Sequence, residues 1–306
     1  MLFTAYIDKK DIRRRQMNLH QKKLIDWRKP MKRRRISIVC IILVTLLLVA
    51  CGDKGTSGLV FSSIENGTAF EVSGSRDLTS ANVRIPATHE KRPVTTIANN
   101  AFAGNTTMRT ISLPSSITVI ENEAFRGCTA LTSVTIPNGV TEIGRSAFSG
   151  CTALASVSIP NSVTSIGSFA FRDCTSLTSV VIPNSVTDLG RSAFVGCTNL
   201  REVTLPNGLT AIQESTFEGT GLTSIRIPNT VTLISHNAFE GCTALSSIHI
   251  PISVAEILSD AFAGCSNLSI TAEAESRPAG WVEYTSTWIT ANWNPDGRPV
   301  QWGRRM

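Results

Sequence analysis

The chain has 306 residues, of which 42% are hydrophobic, and its formal net charge is +6. The basic excess lies at one end, since residues 1–35 hold 13 Lys and Arg but only 3 Asp and Glu. From residue 52 onward, 16 basic residues stand against 20 acidic ones, a net charge of −4. Because a nucleic-acid-binding domain needs a basic surface on its folded part, this distribution argues against a nucleic-acid partner.

Residues 31–51 have the layout of an export signal. The basic segment MKRRR at residues 31–35 precedes an apolar run of 15 residues, Ile36 to Ala50. That run is short for a membrane-spanning helix, which needs roughly 20 residues. The residues that follow the run's apolar centre resemble the lipobox of bacterial lipoproteins: Leu48, Val49, Ala50 and Cys51. The resemblance implies cleavage before Cys51 and a diacylglyceryl group on its thiol.

The alternative is an uncleaved anchor whose basic residues stay in the cytoplasm. In both cases we expect the rest of the chain to face outward. Met31 is a better start than Met1 for a signal of ordinary length, so residues 1–30 are either untranslated or a cytoplasmic extension. Residues 51–58 read as a lipidated cysteine and a flexible tether.

A motif recurs about every 23 residues through most of the remaining chain. Eight phenylalanines mark its register, with six spacings of 23 residues and one of 22: Phe102, Phe125, Phe148, Phe171, Phe194, Phe217, Phe239 and Phe262. A fixed period in this range predicts a stack of coils, each too small to bury its apolar face alone. Such a solenoid has a long regular surface and no natural active-site cleft.

Residues 128–150 show how one coil is expected to fold. Val134 and Ile136 alternate with polar neighbours, which predicts a short strand with both side chains inward. Pro137 ends that strand because it has no amide hydrogen for the ladder. Phe148 closes the convex side, which we expect to be a short helical turn.

Eight cysteines suggest a disulfide set until the period is considered. Cys40 lies in the signal and Cys51 is the lipidation site, whereas the other six occupy one repeat position: Cys128, Cys151, Cys174, Cys197, Cys242 and Cys265. Asn105 and Thr220 take that position in two further coils. We predict a structural ladder of buried free thiols that bonds the turn after each Phe. Bridges between adjacent coils and metal ligation are the alternatives, although paired C-x-x-C spacing is absent.

The two ends are expected to cap the stack. At the front, residues 59–64 and 68–72 flank Asn66-Gly67, a strong hairpin signal. At the back, aromatic residues gather: Trp281, Tyr284, Trp288, Trp293 and Trp302. We interpret them as indoles packed over the last coil, with a sugar-stacking site as the alternative.

The repeat C-x-x-L-x-x-I/V-x-I-P-x-x-V-x-x-I-x-x-x-A-F resembles the BspA-like, or treponemal, class of leucine-rich repeats, over about residues 59–303. The resemblance implies a leucine-rich repeat solenoid of the α/β repeat class: about eight coils of 23 residues, short parallel strands, and helical or irregular convex turns. It implies a bacterial surface or secreted protein, with adhesion to host matrix proteins or other bacteria in some members. The family has no general catalytic residues to carry over, so we expect no enzyme activity, no cofactor and no metal.

The predicted division of the chain follows from these features: a mis-assigned start or extension (1–30), lipoprotein signal (31–50), tether (51–58), N-terminal cap (59–97), repeats (98–270) and C-terminal cap (271–306). One coil departs from the repeat through a one-residue deletion in residues 219–222 and through Thr216 in place of Ala. We expect these changes to bend or shift the stack locally.

The outward strand positions supply the candidate site. Small hydroxyl residues fill most of them, while charge and imidazole gather late in the array, at Arg201, Glu202, Arg226 and His249. These four residues are the expected protein-binding site, and an ordinary solvated surface is the alternative. The leading hypothesis is a lipid-anchored surface protein that binds host matrix or other surface proteins as an adhesin. An envelope scaffold and a carbohydrate-binding protein are the rivals.

Overall fold

The architecture comes from a computed structural model that describes residues 55–281, 283–285, 290–292, 296 and 300–303. The chain divides into two units, Met1–Cys51 and Gly52–Met306. The first unit, with the predicted signal, the lipobox and Cys51, lies outside the described residues. Within the described ranges, no helix combines the length and the apolar character needed to cross a membrane.

A hairpin begins the second unit, where the Asn-Gly signal predicted one. Strands β1 (Leu59–Ile64) and β2 (Ala69–Ser75) pair antiparallel around a one-turn 3-10 helix, Glu65–Gly67. Three strands complete this end: β3 (Asn82–Arg84), β4 (Thr88–His89) and β5 (Arg92–Ile97). Strand β4 pairs antiparallel with β5, while β2 and β5 run parallel. The hairpin therefore covers the first edge of a parallel stack and leaves no abrupt apolar end.

The coils that follow contribute two strands each, a first strand of three or four residues and a second strand of two. In chain order they are β6 (Thr110–Ser112), β7 (Val119–Ile120), β8 (Ser133–Thr135), β9 (Glu142–Ile143), β10 (Ser156–Ser158), β11 (Ser165–Ile166), β12 (Ser179–Val181), β13 (Asp188–Leu189), β14 (Glu202–Thr204), β15 (Ala211–Ile212), β16 (Ser224–Arg226), β17 (Leu233–Ile234), β18 (Ser247–Ile250), β19 (Glu256–Ile257), β20 (Ser269–Ala272) and β21 (Gly280–Trp281). The described tail adds β22 (Glu283–Thr285), β23 (Thr290–Asn292) and β24 (Val300–Gln301). The solenoid makes about nine turns of roughly 23 residues.

Equivalent strands of successive coils pair in parallel, which produces two sheets along the stack. The first-strand sheet contains the runs β3-β6-β8-β10, β12-β14 and β16-β18-β20-β24. The second-strand sheet contains β5-β7-β9-β11-β13 and β15-β17-β19-β21. In-register pairs such as Ser156 with Ser133 place each residue beside its counterpart one coil away. The apolar core lies between these sheets.

The predicted leucine-rich repeat solenoid is confirmed, and the details of one coil refine the prediction. Val134 and Ile136 are buried and Thr135 is exposed, as the alternation predicted. The second strand, Glu142–Ile143, was not predicted. The segment around Phe148 is a series of turns and not a helical turn, and helix content in the described residues is minimal. Backbone N–H groups there donate to carbonyls of the next coil, as Phe148 N does to Ala170 O at 2.8 Å. These hydrogen bonds between coils satisfy the backbone polar groups, so the segment needs no helix.

The phenylalanines form one continuous column through the core. Neighbouring rings stack with centroids 5.1–5.8 Å apart and planes within 14° of parallel. All eight rings are at most 1% exposed. Each of the six inner rings therefore replaces water with two aromatic neighbours and the apolar residues of its own coil.

The shortened coil disturbs this column locally, as the deletion predicted. The ring spacing is widest between Phe194 and Phe217, at 5.8 Å, and the planes of Phe217 and Phe239 differ by 14°. Both sheets are also interrupted here, between β13 and β15 and between β14 and β16. Thr220 takes the cysteine position here and bonds Phe217 O of its own coil at 2.8 Å. The link to the next coil comes from Cys242, whose Sγ bonds Phe217 O at 3.0 Å and lies 3.2 Å from Thr220 Oγ1.

We predict that Phe171→Ala lowers the free energy of unfolding by about 3–5 kcal/mol, because it leaves a cavity between two stacked rings. Chemical denaturation measured by circular dichroism checks the value. Val181→Thr is the matched control, since Val181 is 65% exposed and Thr135 and Thr204 occupy its position in other coils. A loss in the control as large as in Phe171→Ala would contradict the interpretation.

Candidate functional site

Arg226 and His249 lie side by side on the outer face of the first-strand sheet. They are registered partners in the parallel pair β16 and β18. Between and beside them is an open groove of about 620 Å³, bordered also by Asn229, Thr271 and Glu273. Ile225, Ile227 and Ile248 supply its apolar lining. The groove thus combines one exposed cation with hydrogen-bonding groups, above isoleucines that are at most 7% exposed.

Two hydrogen bonds hold the His249 ring in place. Its Nδ1 lies 3.0 Å from Thr271 Oγ1, and its Nε2 lies 3.4 Å from Glu273 Oε1. The other carboxylate oxygen of Glu273 accepts a bond from Ile252 N at 2.9 Å. The side chains of His249 and Glu273 are only 14% and 18% exposed. Carboxylate and hydroxyl together fix the ring orientation, as a second layer of partners does in many binding sites.

The structure separates the four predicted site residues into two groups. Arg226 and His249 meet in the groove, but Arg201 and Glu202 do not border it. Glu202 begins β14, and Arg201 precedes it, both one coil before Arg226 and at the opposite end of the strand. All the same, they are exposed on the same sheet. The four residues all lie late in the sequence, but only Arg226 and His249 belong to the groove.

Thr271 and Glu273 were missed as site residues. The repeat period could have identified both, because it places each residue beside its counterpart one coil earlier. Thr271 pairs with His249 in this way. Glu273 takes the place that Pro251 has one coil earlier, and its N–H bonds Ile250 O at 3.0 Å. Glu273 is thus a carboxylate at a position where the repeat has proline, and it lies beside His249. This departure from the repeat marks the groove.

The six repeat cysteines are free and fully buried. Each Sγ donates to the carbonyl oxygen of a phenylalanine one coil back, over 3.0–3.2 Å. The ladder of buried free thiols is as predicted, and its bonds link adjacent coils. Each phenylalanine carbonyl can accept twice, as Phe125 O does from Cys128 N of its own coil and from Cys151 Sγ of the next. Across the described part of the chain, no group of three or more His, Cys, Asp or Glu is placed to hold a metal ion.

Four of these thiols are hard to ionise. Burial raises the pKa of Cys197 to about 12 and that of Cys242 to about 11. The pKa of Cys174 is also well above its ordinary value of 9.0, because of burial. For Cys151, the hydrogen-bonded Cys128 thiol raises the pKa most and burial adds to it. Since the thiolate is the reactive form, these four thiols are poorly reactive in the folded protein.

We predict that alkaline conditions destabilise the fold through this ladder. A thiol with a raised pKa in the folded state contributes its full stability below its ordinary value of 9.0 and loses it as the pH rises towards the folded value. Between pH 9.0 and about 11, Cys242 should lower the free energy of unfolding by about 1.4 kcal/mol per pH unit. Urea unfolding across this range measures the slope. The control is Cys242→Thr, the residue of the Thr220 coil, which should flatten it; an unchanged slope would rule out Cys242 as the source.

Trp281 is part of the C-terminal end of the core. It is 2% exposed, its Nε1 donates to Val254 O at 3.2 Å, and its ring lies 5.3 Å from that of Trp302. A buried indole with its N–H already bonded has no free face for a sugar, so Trp281 caps the stack. Trp288 and Trp293 lie outside the described residues, as does the side chain of Tyr284.

The comparisons with known proteins place the chain in a family. The family model described as "BspA type Leucine rich repeat region (6 copies)" matches residues 95–220 and 164–277. The chain therefore belongs to the BspA-type leucine-rich repeat family, as its repeat predicted. Solenoids of this kind are typically scaffolds or binding proteins and not enzymes. No curated protein matches the chain.

Two solved structures are similar to this chain. A leucine-rich repeat protein from Bacteroides ovatus has 30% sequence identity and a TM-score of 0.64, over 82% of this chain and 71% of the other. A leucine-rich repeat protein from T. pallidum has 24% identity and a TM-score of 0.48, over 70% of this chain and 89% of the other.

Proposed function

We propose that this protein is an exported, lipid-anchored surface protein that binds other proteins through the Arg226–His249 groove, and that it serves in adhesion. Three observations support the proposal: membership of the BspA-type family, the lipobox at residues 48–51, and the groove. The groove carries the most weight, because it is where the repeat departs from small hydroxyl residues to charged and imidazole groups.

The chemistry of the groove favours a protein surface that presents a carboxylate. The Arg226 guanidinium is a planar fork that binds a carboxylate through two hydrogen bonds. His249, held by Thr271 and Glu273, adds a fixed ring beside it. The isoleucines beneath belong to the core, at most 7% exposed, so the polar groups of the groove supply its contact surface.

We predict that Arg226→Thr combined with His249→Thr weakens partner binding at least about ten-fold, which corresponds to about 1.4 kcal/mol. Threonine is the natural choice because Thr204 and Thr271 occupy the same column. Biosensor measurements on a panel of host matrix proteins and on surface proteins of other bacteria supply the affinities. Arg201→Thr is the control, since it removes a charge on the same sheet outside the groove. Equal losses in the control and the groove variant would refute the groove as the binding site.

The anchoring part of the proposal has a separate test. Cys51→Ala should release the repeat domain from the membrane fraction, because a lipidated protein loses its acyl chains without that thiol. Protease treatment of intact cells should remove the wild-type repeat domain while a periplasmic control protein survives. Full protection of the domain would contradict surface exposure and favour an envelope scaffold.

A further inference from the structure

Phe169 breaks the pattern of its repeat position. Its backbone has φ +61°, and equivalent residues in other coils also have positive φ: Asn100, Glu123, Ser146, Ser192, Ser215, Asn237 and Asp260. All of those are polar, and positive φ is unfavourable for a bulky aromatic residue. Phe169 does not join the phenylalanine column, and its ring is partly exposed. Packing in the core thus does not explain an aromatic residue here.

Three arginines converge on the Phe169 ring. The guanidinium carbons of Arg145, Arg172 and Arg191 lie 5.8, 5.9 and 5.9 Å from its centroid. Arg191 lies one coil onward, where its carbonyl accepts a hydrogen bond from Phe169 N at 3.0 Å. Arg145 has the equivalent place one coil back, and all three arginines are exposed. The ring attracts cations, so it gathers three like charges that repel one another.

A second departure in the same coil serves the same cluster. Asp173 stands where other coils have glycine and keeps the positive φ, at +55°. The glycines at this position are Gly104, Gly127, Gly150, Gly196, Gly219, Gly241 and Gly264. The Asp173 carboxylate binds Arg172 Nε at 3.0 Å and so orients that guanidinium. Positive φ recurs at both positions in the other coils, so the residue types Phe169 and Asp173 are what set this coil apart.

The cluster carries more positive charge than its own acids neutralise. Arg126 pairs with Glu123 at 2.8 Å, and Arg172 pairs with Asp173. Within the described ranges, Arg145 and Arg191 have no carboxylate within 4.0 Å. A groove of about 490 Å³ lies beside the ring, lined by Arg126, Arg145, Arg172 and Phe169 among others. This basic groove stands on a body whose net charge from residue 52 onward is −4.

We propose that Phe169, Arg145, Arg172 and Arg191 form a second recognition site, for a short acidic segment of a partner protein with an apolar side chain among its carboxylates. Guanidinium forks on either side of the ring bind carboxylates, and the ring face receives the apolar side chain. The site lies in the turns that follow β9, β11 and β13 and shares no residue with the Arg226–His249 groove, so the proposal goes beyond the function proposed above.

The length of the basic surface selects a short segment over a long polyanion. The arginine column that holds Arg145 and Arg191 continues with Glu214, whose carbonyl accepts from Ser192 N just as Arg191 accepts from Phe169 N. The column that holds Arg172 continues through Val195 to Glu218. A uniformly anionic chain that extended along the stack would therefore meet like charges within one or two coils, which is unfavourable.

The test uses full-length protein in a non-ionic detergent and a labelled short peptide that alternates Glu with Phe. A peptide with Gln in place of Glu is the probe control. Two variants remove the site: the double variant Arg145→Ser with Arg191→Ser, and the single variant Phe169→Ser. Serine is already found at both repeat positions, as Ser168 at the arginine position and Ser146 at the Phe169 position. Arg109→Thr is the matched charge control, because Arg109 is exposed just before β6 of the first-strand sheet, away from the turns that hold Phe169. Threonine is found at the same position in the next coil, as Thr132. Circular dichroism checks that each variant keeps the fold.

We expect the Glu peptide to bind at moderate salt, the Gln peptide not to bind, and the double variant to weaken Glu-peptide binding at least about ten-fold. Phe169→Ser should weaken it several-fold, while Arg109→Thr should leave it unchanged. Absence of Glu-peptide binding to the wild-type protein would overturn the proposal. So would Glu-peptide binding by the Phe169 variant and the double arginine variant that equals wild-type binding.

Two other occupants are distinguished by the same proteins. Tighter binding of a sulfated oligosaccharide than of the Glu peptide, through the same arginines, would replace the peptide with a sulfated ligand. Concentration-dependent dimerisation in sedimentation experiments, lost in Arg145→Ser with Arg191→Ser, would assign the site to a second copy of this chain. Either result would overturn the peptide assignment, and loss of binding at this site alone would leave the groove proposal intact.

Discussion

Each coil must fit its copies one turn before and one turn after, and this stacking constraint determines most of the molecule. A ring at the Phe148 position has the rings of Phe125 and Phe171 as its neighbours at 5.1 and 5.4 Å, so only a residue of the same shape continues the column. The thiol ladder obeys the same rule, because Cys151 Sγ bonds the carbonyl of Phe125 in the preceding coil. Burial, hydrogen bonding and shape thus act together along the stack and not within one coil.

The constraint also explains where function is found. A position that repeats in every coil is occupied by what stacking needs, so positions that break the repeat without improving the core are the informative ones. Arg226, His249 and Glu273 break it on the first-strand sheet, and Phe169 and Asp173 break it in the turns after β11. The two proposed sites have different chemistry, since the groove has one fixed imidazole beside one cation whereas the Phe169 cluster has three cations around one ring.

Two sites on different coils of one stack fit the surface-binding role that we propose. The phenylalanine column is continuous from Phe102 to Phe262, so the number of coils separates the groove from the Phe169 cluster. Simultaneous contacts at two such sites strengthen attachment even when each is weak. The shortened coil at residues 219–222 lies between them along the chain, and it is where both sheets are interrupted.

The sequence by itself determined the solenoid, the phenylalanine and cysteine columns, the alternation at Val134 and Ile136, and the front hairpin. These features repeat or are local, so a period of about 23 residues exposes them. Only the tertiary structure decided that Glu273 holds His249, that Arg201 and Glu202 lie outside the groove, that the convex segments are turns, and that three arginines meet on Phe169. The physical reason is that those contacts join side chains from different coils, and their meeting depends on how the coils are registered in space and on where each long side chain points.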